Sequence, residues 1–373
     1  MTRQWRWSLA PCLLVLLSGC TGRAPAPIWI AHVATLSGPD KEAGEAAARG
    51  VRLAVEEINK DPSSGVGRPF KVIHSDARGK PEGFEAEAVR LAAINRVAFL
   101  LGGNTPEEVE RLDRAHLPVL TPCGARTRNL SDAVYFTGLS PAQRGKGLAR
   151  FAVQDLGLDN FLLVQDERRT DLLETAEAFT REVLTKKDGK TATVRVLRLD
   201  KDAKAGDLSQ RLREPLEKGT AKAVVFVGKV EELRELGILS VPILVAGDDV
   251  SARVLQLNKP RSKELYFITA FAADIDAPKA VEFAKRYKAA FSEDADVHAA
   301  LAYDAMKLLH EATVRSKDSL TLPGIREELV KLKDFPGLSG PLSFTAERQL
   351  LRPAFVVRLD EAGVKTVKRY PAE

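Results

Sequence analysis

The sequence predicts an α/β protein of two lobes, each built on a sheet of parallel strands, and three observations carry that prediction. At 373 residues the chain exceeds what a single core usually fills. Short apolar runs with β-branched members alternate with stretches of helical periodicity, the pattern of strands joined by helical crossovers. The alternation restarts near Tyr135-Phe136-Thr137-Gly138-Leu139, so a second sheet begins there.

Residues 28–35 form an apolar run without helical spacing, which reads as a buried strand. Leu36-Ser37-Gly38-Pro39 supplies a turn. From Ala43 the period changes: Ala47, Val51, Ala54, Val55 and Ile58 fall on one helical face, while Arg49, Arg52, Glu56 and Lys60 take the other. Ligands of open α/β sheets bind beyond the carboxyl ends of the strands, so the loop over 36–44 is a candidate cleft wall. A second strand follows at 70–77 and a helix at 82–95, with Phe84, Ala88, Leu91 and Ala92 facing the core. A third strand at 97–102 leads into Asn104-Thr105-Pro106-Glu107-Glu108, where Thr105 can cap, Pro106 suits the first helical position and Glu108 completes a capping box. That helix runs to Ala115. A short strand at 118–121 enters Pro122-Cys123-Gly124-Ala125.

In the second lobe, strands are expected at 160–165, 193–199, 222–227, 242–246 and 264–268, separated by helical patterns. Residues 278–333 are almost wholly helical, and 335–340 break that run. Strands at 354–359 and 364–368 close the chain around a turn at Glu361-Ala362-Gly363.

The first residues have a different character. Arg3 and Arg6 precede an apolar stretch at 9–17, too short to span a bilayer, and Leu17-Ser18-Gly19-Cys20 follows. This is a secretory signal, and the four residues resemble the bacterial lipoprotein processing box, in which the cysteine is acylated and becomes the new N-terminus. An ordinary export signal with an incidental cysteine is the alternative. Removing residues 1–19 takes away two basic residues and no acid, so the net charge falls from +5 to +3. So small an excess on an exported chain argues against a nucleic-acid partner. Processing also removes Cys12 and acylation uses Cys20, leaving Cys123 with no partner for an intramolecular disulfide.

The run from the first strand through Leu36-Ser37-Gly38-Pro39, Gly44 and Gly50 to Leu53-Ala54-Val55-Glu56-Glu57-Ile58-Asn59 resembles the opening of the leucine/isoleucine/valine-binding protein family. Gly65-Val66-Gly67-Arg68, Asp76, Pro81 and, much later, Ala302-Tyr303-Asp304-Ala305 continue the likeness, by order and spacing more than by any single motif. The resemblance spans residue 28 to the C-terminus. It implies the type I periplasmic-binding fold: two Rossmann-like lobes with parallel sheets joined by three hinge crossings, near Leu139, Thr269 and Phe335. Lobe 1 would then comprise 28–139 and 270–334. Lobe 2 would comprise 140–269 and 335–373, the last piece starting with a hinge strand. A signal peptide at 1–19 and a lipidated tether at 20–27 would precede both.

Patterns of catalysis and cofactor binding are missing from the sequence. The histidines at 32, 74, 116, 298 and 310 have no metal spacing, and His310-Glu311 lacks the second histidine of a zinc-protease helix because Val314 stands there. Gly65-Val66-Gly67 precedes a strand and not a helix, which excludes a dinucleotide fingerprint. Neither a phosphate-binding Walker loop nor a Gly-x-Ser-x-Gly elbow occurs. The chain is therefore expected to be no enzyme, and to need no cofactor or metal.

The resemblance assigns ligand contacts to several loops. Ser37 lies in the first. Gly103-Asn104-Thr105 matches a segment where a hydroxyl and backbone N–H groups at a helix N-terminus take a ligand carboxylate, although plain capping by Thr105 and Glu108 accounts for the same residues. Cys123, Gly124 and Ala125 match a segment that completes carboxylate binding. A threonine is usual in place of Ala125, and Arg126 and Arg128 could supply charge instead. Cys123 itself reads as a small buried residue. In lobe 2, Thr170 and Lys229 stand where aromatic residues are usual. Asp249 aligns with the acid that holds a ligand ammonium, Asp248 or Asp249 being also able to cap the following helix.

These residues lead to an expected function: a receptor, lipid-anchored through Cys20 on the periplasmic face of a bacterial envelope, that binds a small polar, amino-acid-like ligand and delivers it to ABC permease subunits. Trp29 is the single tryptophan left after processing and lies in a strand, so stacking of a sugar has little to work with. A rival from another class is an envelope lipoprotein of the same fold that acts through protein contacts, for example as activator of a cell-wall synthase.

Overall fold

The computed structural model describes residues 26–38, 41–61, 67–93, 97–185, 192–199, 207–236, 238–247, 261–262, 264–316, 321–360 and 363–372. The signal segment and Cys20 lie outside them.

The first sheet is assembled from β1 (Ile28–Ala34), β2 (Phe70–Asp76), β3 (Val97–Gly102), β4 (Val119–Thr121) and β5 (Val134–Phe136), joined by α1 (Lys41–Lys60), α2 (Pro81–Ala93) and α3 (Pro106–Asp113). Its order is β2-β1-β3-β4-β5 and every neighbouring pair is parallel. The chain then passes through α4 (Pro141–Arg150), β6 (Asn160–Asp166), α5 (Leu173–Thr185), β7 (Thr193–Leu199), α6 (Asp207–Glu217) and β8 (Ala223–Val227). Two short pairing strands, β9 (Ile238–Leu239) and β11 (Arg261–Ser262), flank β10 (Ile243–Val245), and β12 (Leu265–Thr269) ends this passage. It returns to the first lobe as α7 (Pro278–Phe291), α8 (Val297–Arg315) and α9 (Leu322–Lys331). The last segment is β13 (Phe335–Gly337), β14 (Gly340–Phe344), β15 (Leu350–Leu351), β16 (Ala354–Asp360) and β17 (Gly363–Tyr370).

The second sheet has the order β17-β16-β12-β10-β8-β6-β7. It is mixed rather than purely parallel, because β16 runs antiparallel to β12 and β17 antiparallel to β16. A hairpin as short as that between β16 and β17 can only make an antiparallel pair. Residues 335–340, expected to break the helical run and to open a hinge strand, form β13 and the start of β14 in an antiparallel pair, and β15 extends it into a three-stranded meander. A bridge from Phe136 to Gln349 ties this meander to the first sheet, and the chain joins the second sheet at Ala354.

Helical faces follow the periodicity. α1 buries Val51, Ala54 and Ile58 while Arg52, Glu56 and Lys60 face water, and α2 buries Phe84, Ala88 and Leu91. Arg49 departs from the pattern: its Nε donates to Tyr287 Oη at 2.9 Å, so it joins α1 to α7. The six-residue glycine spacing has a steric cause. A Cβ on Gly44 would lie 2.0 Å from the Thr35 carbonyl oxygen, and one on Gly50 would lie 2.1 Å from that of Ala299. Bare backbone at these two positions lets α1 rest on the end of β1 and against α8.

Candidate ligand site

The carboxyl ends of the first-sheet strands carry most of the residues singled out above, and each is held by its own loop. After β1, the Leu36 N–H donates to Asp76 Oδ1 at 2.9 Å and the Arg78 N–H to the same oxygen at 2.8 Å. The Ser37 hydroxyl also donates to Asp76. Burial pushes the Asp76 carboxyl up, but these three donors outweigh it and hold it below the usual carboxylate range. Ser37 is therefore spent on fixing the turn.

After β3, Thr105 caps α3 with the complete capping box. Glu108 goes further than a box requires. Its Oε2 accepts from the Asn104 N–H at 2.7 Å and from the Thr105 N–H at 3.2 Å, while its own N–H donates to Thr105 Oγ1 at 3.3 Å. The two backbone donors assigned to a ligand carboxylate thus already bind a carboxylate of the chain itself.

After β4, Thr121 Oγ1 donates to the Gly103 carbonyl at 2.5 Å and accepts from the Cys123 N–H at 3.0 Å. Cys123 is buried, and its Sγ points at the Ala125 carbonyl 3.4 Å away. It packs as a small hydrophobe. Gly124 is required by contact: a Cβ there would sit 1.8 Å from the Leu139 carbonyl oxygen, in the backbone leaving β5. Ala125 is half-buried and offers no hydroxyl. Arg126 does not replace it, because its guanidinium lies 4.8 Å over the Phe136 ring and donates to the Glu347 carbonyl. Burial and the charge of Arg348 together push its pKa down. Arg128 is exposed.

In the second lobe Thr170 is exposed at the start of a single 3-10 turn, 170–172. Ion pairs flank it. Arg168 binds Asp166 through two bonds of 2.7 and 3.0 Å and reaches Glu232 at 2.5 Å, and Arg169 binds Asp171 at 2.8 and 2.6 Å. Asp166 is fully buried, so the forked guanidinium is what compensates its charge. Lys229 is exposed just beyond β8. Asp248 and Asp249 lie outside the described residues. The first-lobe loops come together at one sheet edge, whereas Thr170 and Lys229 belong to the edge of the other.

A small cavity opens among these first-lobe strand ends. Ala34, Gly102, Leu120 and Thr137 contribute from the sheet side, and Gly44, Leu301, Ala302 and Ala305 from α1 and α8. His32, Asn104 and His298 are its remaining polar neighbours. Its volume is about 30 Å³, on the scale where one water needs roughly 10–15 Å³. His32 Nδ1 lies 3.1 Å from His74 Nδ1, across the β1–β2 register that pairs the two residues. Burial, aided by the neighbouring His74, pushes His32 down to about 3, and burial with the Arg52 charge pushes His74 down to about 4. Both rings are neutral at physiological pH. Among the described residues no group of three or more histidine, cysteine, aspartate or glutamate side chains could hold a metal ion, and no helix is long and apolar enough to cross a membrane.

Sequence reasoning missed the buried polar pairs, His32 with His74 and Asp304 with Arg352. The signal for Arg352 was one charge inside the apolar run Leu350-Leu351-Arg352-Pro353-Ala354-Phe355.

A family model described as periplasmic binding protein matches residues 27–364. No curated protein matches the chain. Among solved structures, the leucine-binding protein LivK of Thermotoga maritima superposes with a TM-score of 0.77 at 19% identity, covering 92% of this chain and 99% of that one. LivJ of Streptococcus pneumoniae, a branched-chain amino-acid binding protein solved with isoleucine, gives 0.75 at 22% identity over 92% and 99%. A solute-binding protein of an ABC transporter from R. palustris, solved with benzoate, gives 0.73 at 16% identity over 93% and 97%.

Proposed function

Because the chain belongs to the periplasmic binding protein family, we propose that it is the extracytoplasmic receptor of an ABC importer, lipid-anchored through Cys20, which captures a small amino-acid-like solute between its lobes and hands it to permease subunits. The family match across 27–364 carries this reading. Support comes from the connectivity: one chain builds the first sheet, crosses to the second, returns with helices that pack on the first lobe and ends in the second sheet, and two such lobes can close over a ligand by hinge motion. The described strand ends offer hydrogen-bonding loops and ion pairs. In this scheme Asp249 holds the ligand ammonium, Thr170 and Lys229 belong to the same second-lobe wall, and Ser37, Asn104, Thr105 and the 123–125 loop shape the first-lobe half.

A thermal-melt screen of amino acids, amines, small peptides and organic acids tests it. A ligand at a hundred times its dissociation constant stabilises the native state by about 2.7 kcal/mol, which such an assay resolves. One observation favours the rival, an envelope lipoprotein acting through protein contacts: Glu108 fills the two backbone donors beside the cavity. A screen in which no small molecule moves the melting temperature, with native mass spectrometry finding no co-purifying ligand, decides for that rival.

A further inference from the structure

Resting on the reading of Cys20 as a lipid anchor, we propose that the amino-terminal end of the first sheet, around Arg68 and Lys71, is a docking surface for an anionic lipid membrane. Only residues 21–25 separate Cys20 from Ala26, and a fully extended chain of that length reaches about 20 Å. The headgroup layer takes up roughly 5–8 Å of this reach. An acylated Cys20 therefore holds the start of β1 within one or two Debye lengths of the lipid charge, at about 8–10 Å each. Where the tether leaves the fold is fixed by Arg68, whose Nε donates to the Ala26 carbonyl at 2.6 Å and whose Nη2 donates to the Pro27 carbonyl at 3.3 Å.

The charges at that end complement such a surface. Ile28 and Phe70 pair at the starts of β1 and β2, and Asn59 brackets Phe70 with two bonds of 2.8 Å, which brings the last turn of α1 to the same end. Lys60 there lies 4.0 Å from Glu56. Arg315, at the end of the helix whose His310 ring packs on Phe70, lies 2.8 Å from Glu311. Those two pairs cancel in charge. Arg68 and Lys71 do not: Arg68 binds only the two carbonyls, Lys71 extends over the Trp29 ring with its Nζ 5.4 Å from the centroid, and neither has a carboxylate partner among the described residues. An ammonium laid against a half-buried indole is the side-chain pairing that suits the headgroup level of a bilayer. Counting Arg23 of the tether with Arg68 and Lys71, and setting the exposed Asp61 against them, leaves an excess of two positive charges. At roughly fivefold per charge near an anionic surface, that excess favours the docked orientation by about 25-fold, which orients an anchored domain and does not replace its acyl chains. The candidate ligand loops stand at the opposite ends of these strands, so a docked lobe presents them away from the lipid.

Trp29 reports on this face directly, because Trp5 and Trp7 leave with the signal segment and it is the one tryptophan of the processed chain. The processed chain is coupled through the Cys20 thiol to a maleimide-headgroup lipid, Cys123 being buried, so the measurement does not depend on acylation in the cell. The vesicles carry a nitroxide quencher among their headgroups and consist of phosphatidylcholine alone or with about one-third phosphatidylglycerol, which supplies the anionic surface. Trp29 emission, taken relative to quencher-free vesicles, should be quenched at least about twofold more on the anionic vesicles, and that excess should vanish in molar salt. Lys71→Glu, which leaves the Arg68 clamp in place, and Arg68→Gln should each remove most of the excess, whereas Arg195→Gln/Arg213→Gln on the second lobe should keep it. Equal quenching on neutral and anionic vesicles, or an excess that Lys71→Glu or Arg68→Gln leaves whole, overturns the proposal. Failure of the anchor reading has a different signature, a Cys20→Ser protein that fractionates as the wild type does, and it leaves the contrast between the two kinds of vesicle intact.

Discussion

Arg352 Nη2 donates to Asp304 Oδ2 at 2.9 Å, and both side chains are essentially closed to solvent. The pair stands where the chain passes between lobes. Arg352 Nη1 donates to the Thr137 carbonyl at 2.8 Å, just after β5, and Asp304 Oδ1 accepts from the Leu338 N–H at 3.0 Å. Gln349 Nε2 adds a bond to the Gly138 carbonyl at 3.0 Å, and Ser339 Oγ one to the Ala270 carbonyl at 3.2 Å. These bonds together tie the passages after β5 and β12 to the last one before β16.

Breaking this pair should destabilise the protein strongly. Arg352→Met leaves a buried carboxylate without its counter-charge, and such truncations cost about 3–5 kcal/mol. Burial pushes the Asp304 carboxyl up and Arg352 pulls against it, with burial prevailing. In the variant that pull is gone. A carboxyl whose folded pKa is raised contributes stability that is complete below its unfolded value and lost as pH rises through the folded one. The deficit of Arg352→Met should therefore be largest at neutral pH and shrink toward pH 4, as read by urea denaturation. A deficit independent of pH would assign the loss to packing alone.

The histidine pair predicts the opposite slope. His32 and His74 fall to about 3 and about 4, below the unfolded value near 6.5. Here the native state prefers the neutral rings, so stability is complete above pH 6.5 and declines as pH drops toward those folded values. Each ring contributes about 1.4 kcal/mol per pH unit over that window. His32→Leu/His74→Leu should flatten the denaturation midpoint between pH 6.5 and pH 4.5. Retention of the wild-type slope in the double variant would locate the acid sensitivity elsewhere.

Patterned residues were legible in the sequence and tertiary pairings were not. The faces of α1 and α2 follow from spacing alone, because burial of an amphipathic helix depends on its own period. Thr105 and Glu108 could be read as a capping box since both partners lie within four residues. Nothing local shows that Glu108 also takes the Asn104 N–H, or that Ser37 turns to Asp76. Asp304 and Arg352 are 48 residues apart, and only the fold brings them together. The antiparallel course of β16 is of the same kind: its alternation announces a strand, but the neighbour it pairs with is set by where the third passage delivers it.

The proposed lipid anchor at Cys20 predicts a fractionation result. Cys20→Ser should release the protein from membranes into the soluble envelope fraction, since acyl chains rather than a spanning helix would hold it there. A Cys20→Ser variant that still sediments with membranes in high salt, with its signal cut elsewhere, would remove the lipid anchor from the scheme.

Asp249 yields the prediction that separates the two ends of the solute. The proposed role of Asp249 is to pair with a ligand ammonium, and a charge-removing substitution tests it. Asp249→Asn keeps the shape of the side chain and removes its charge, leaving a ligand ammonium unpaired in a poorly solvated site. Truncating one partner of a buried charge pair costs ~2–5 kcal/mol, so affinity for an amine ligand should fall at least about thirtyfold by calorimetry. Folding stability should change far less, because asparagine caps a helix about as well as aspartate. Asp248→Asn should leave binding nearly unchanged. Unchanged amine affinity in Asp249→Asn, or the larger loss in Asp248→Asn, would take the ammonium from Asp249.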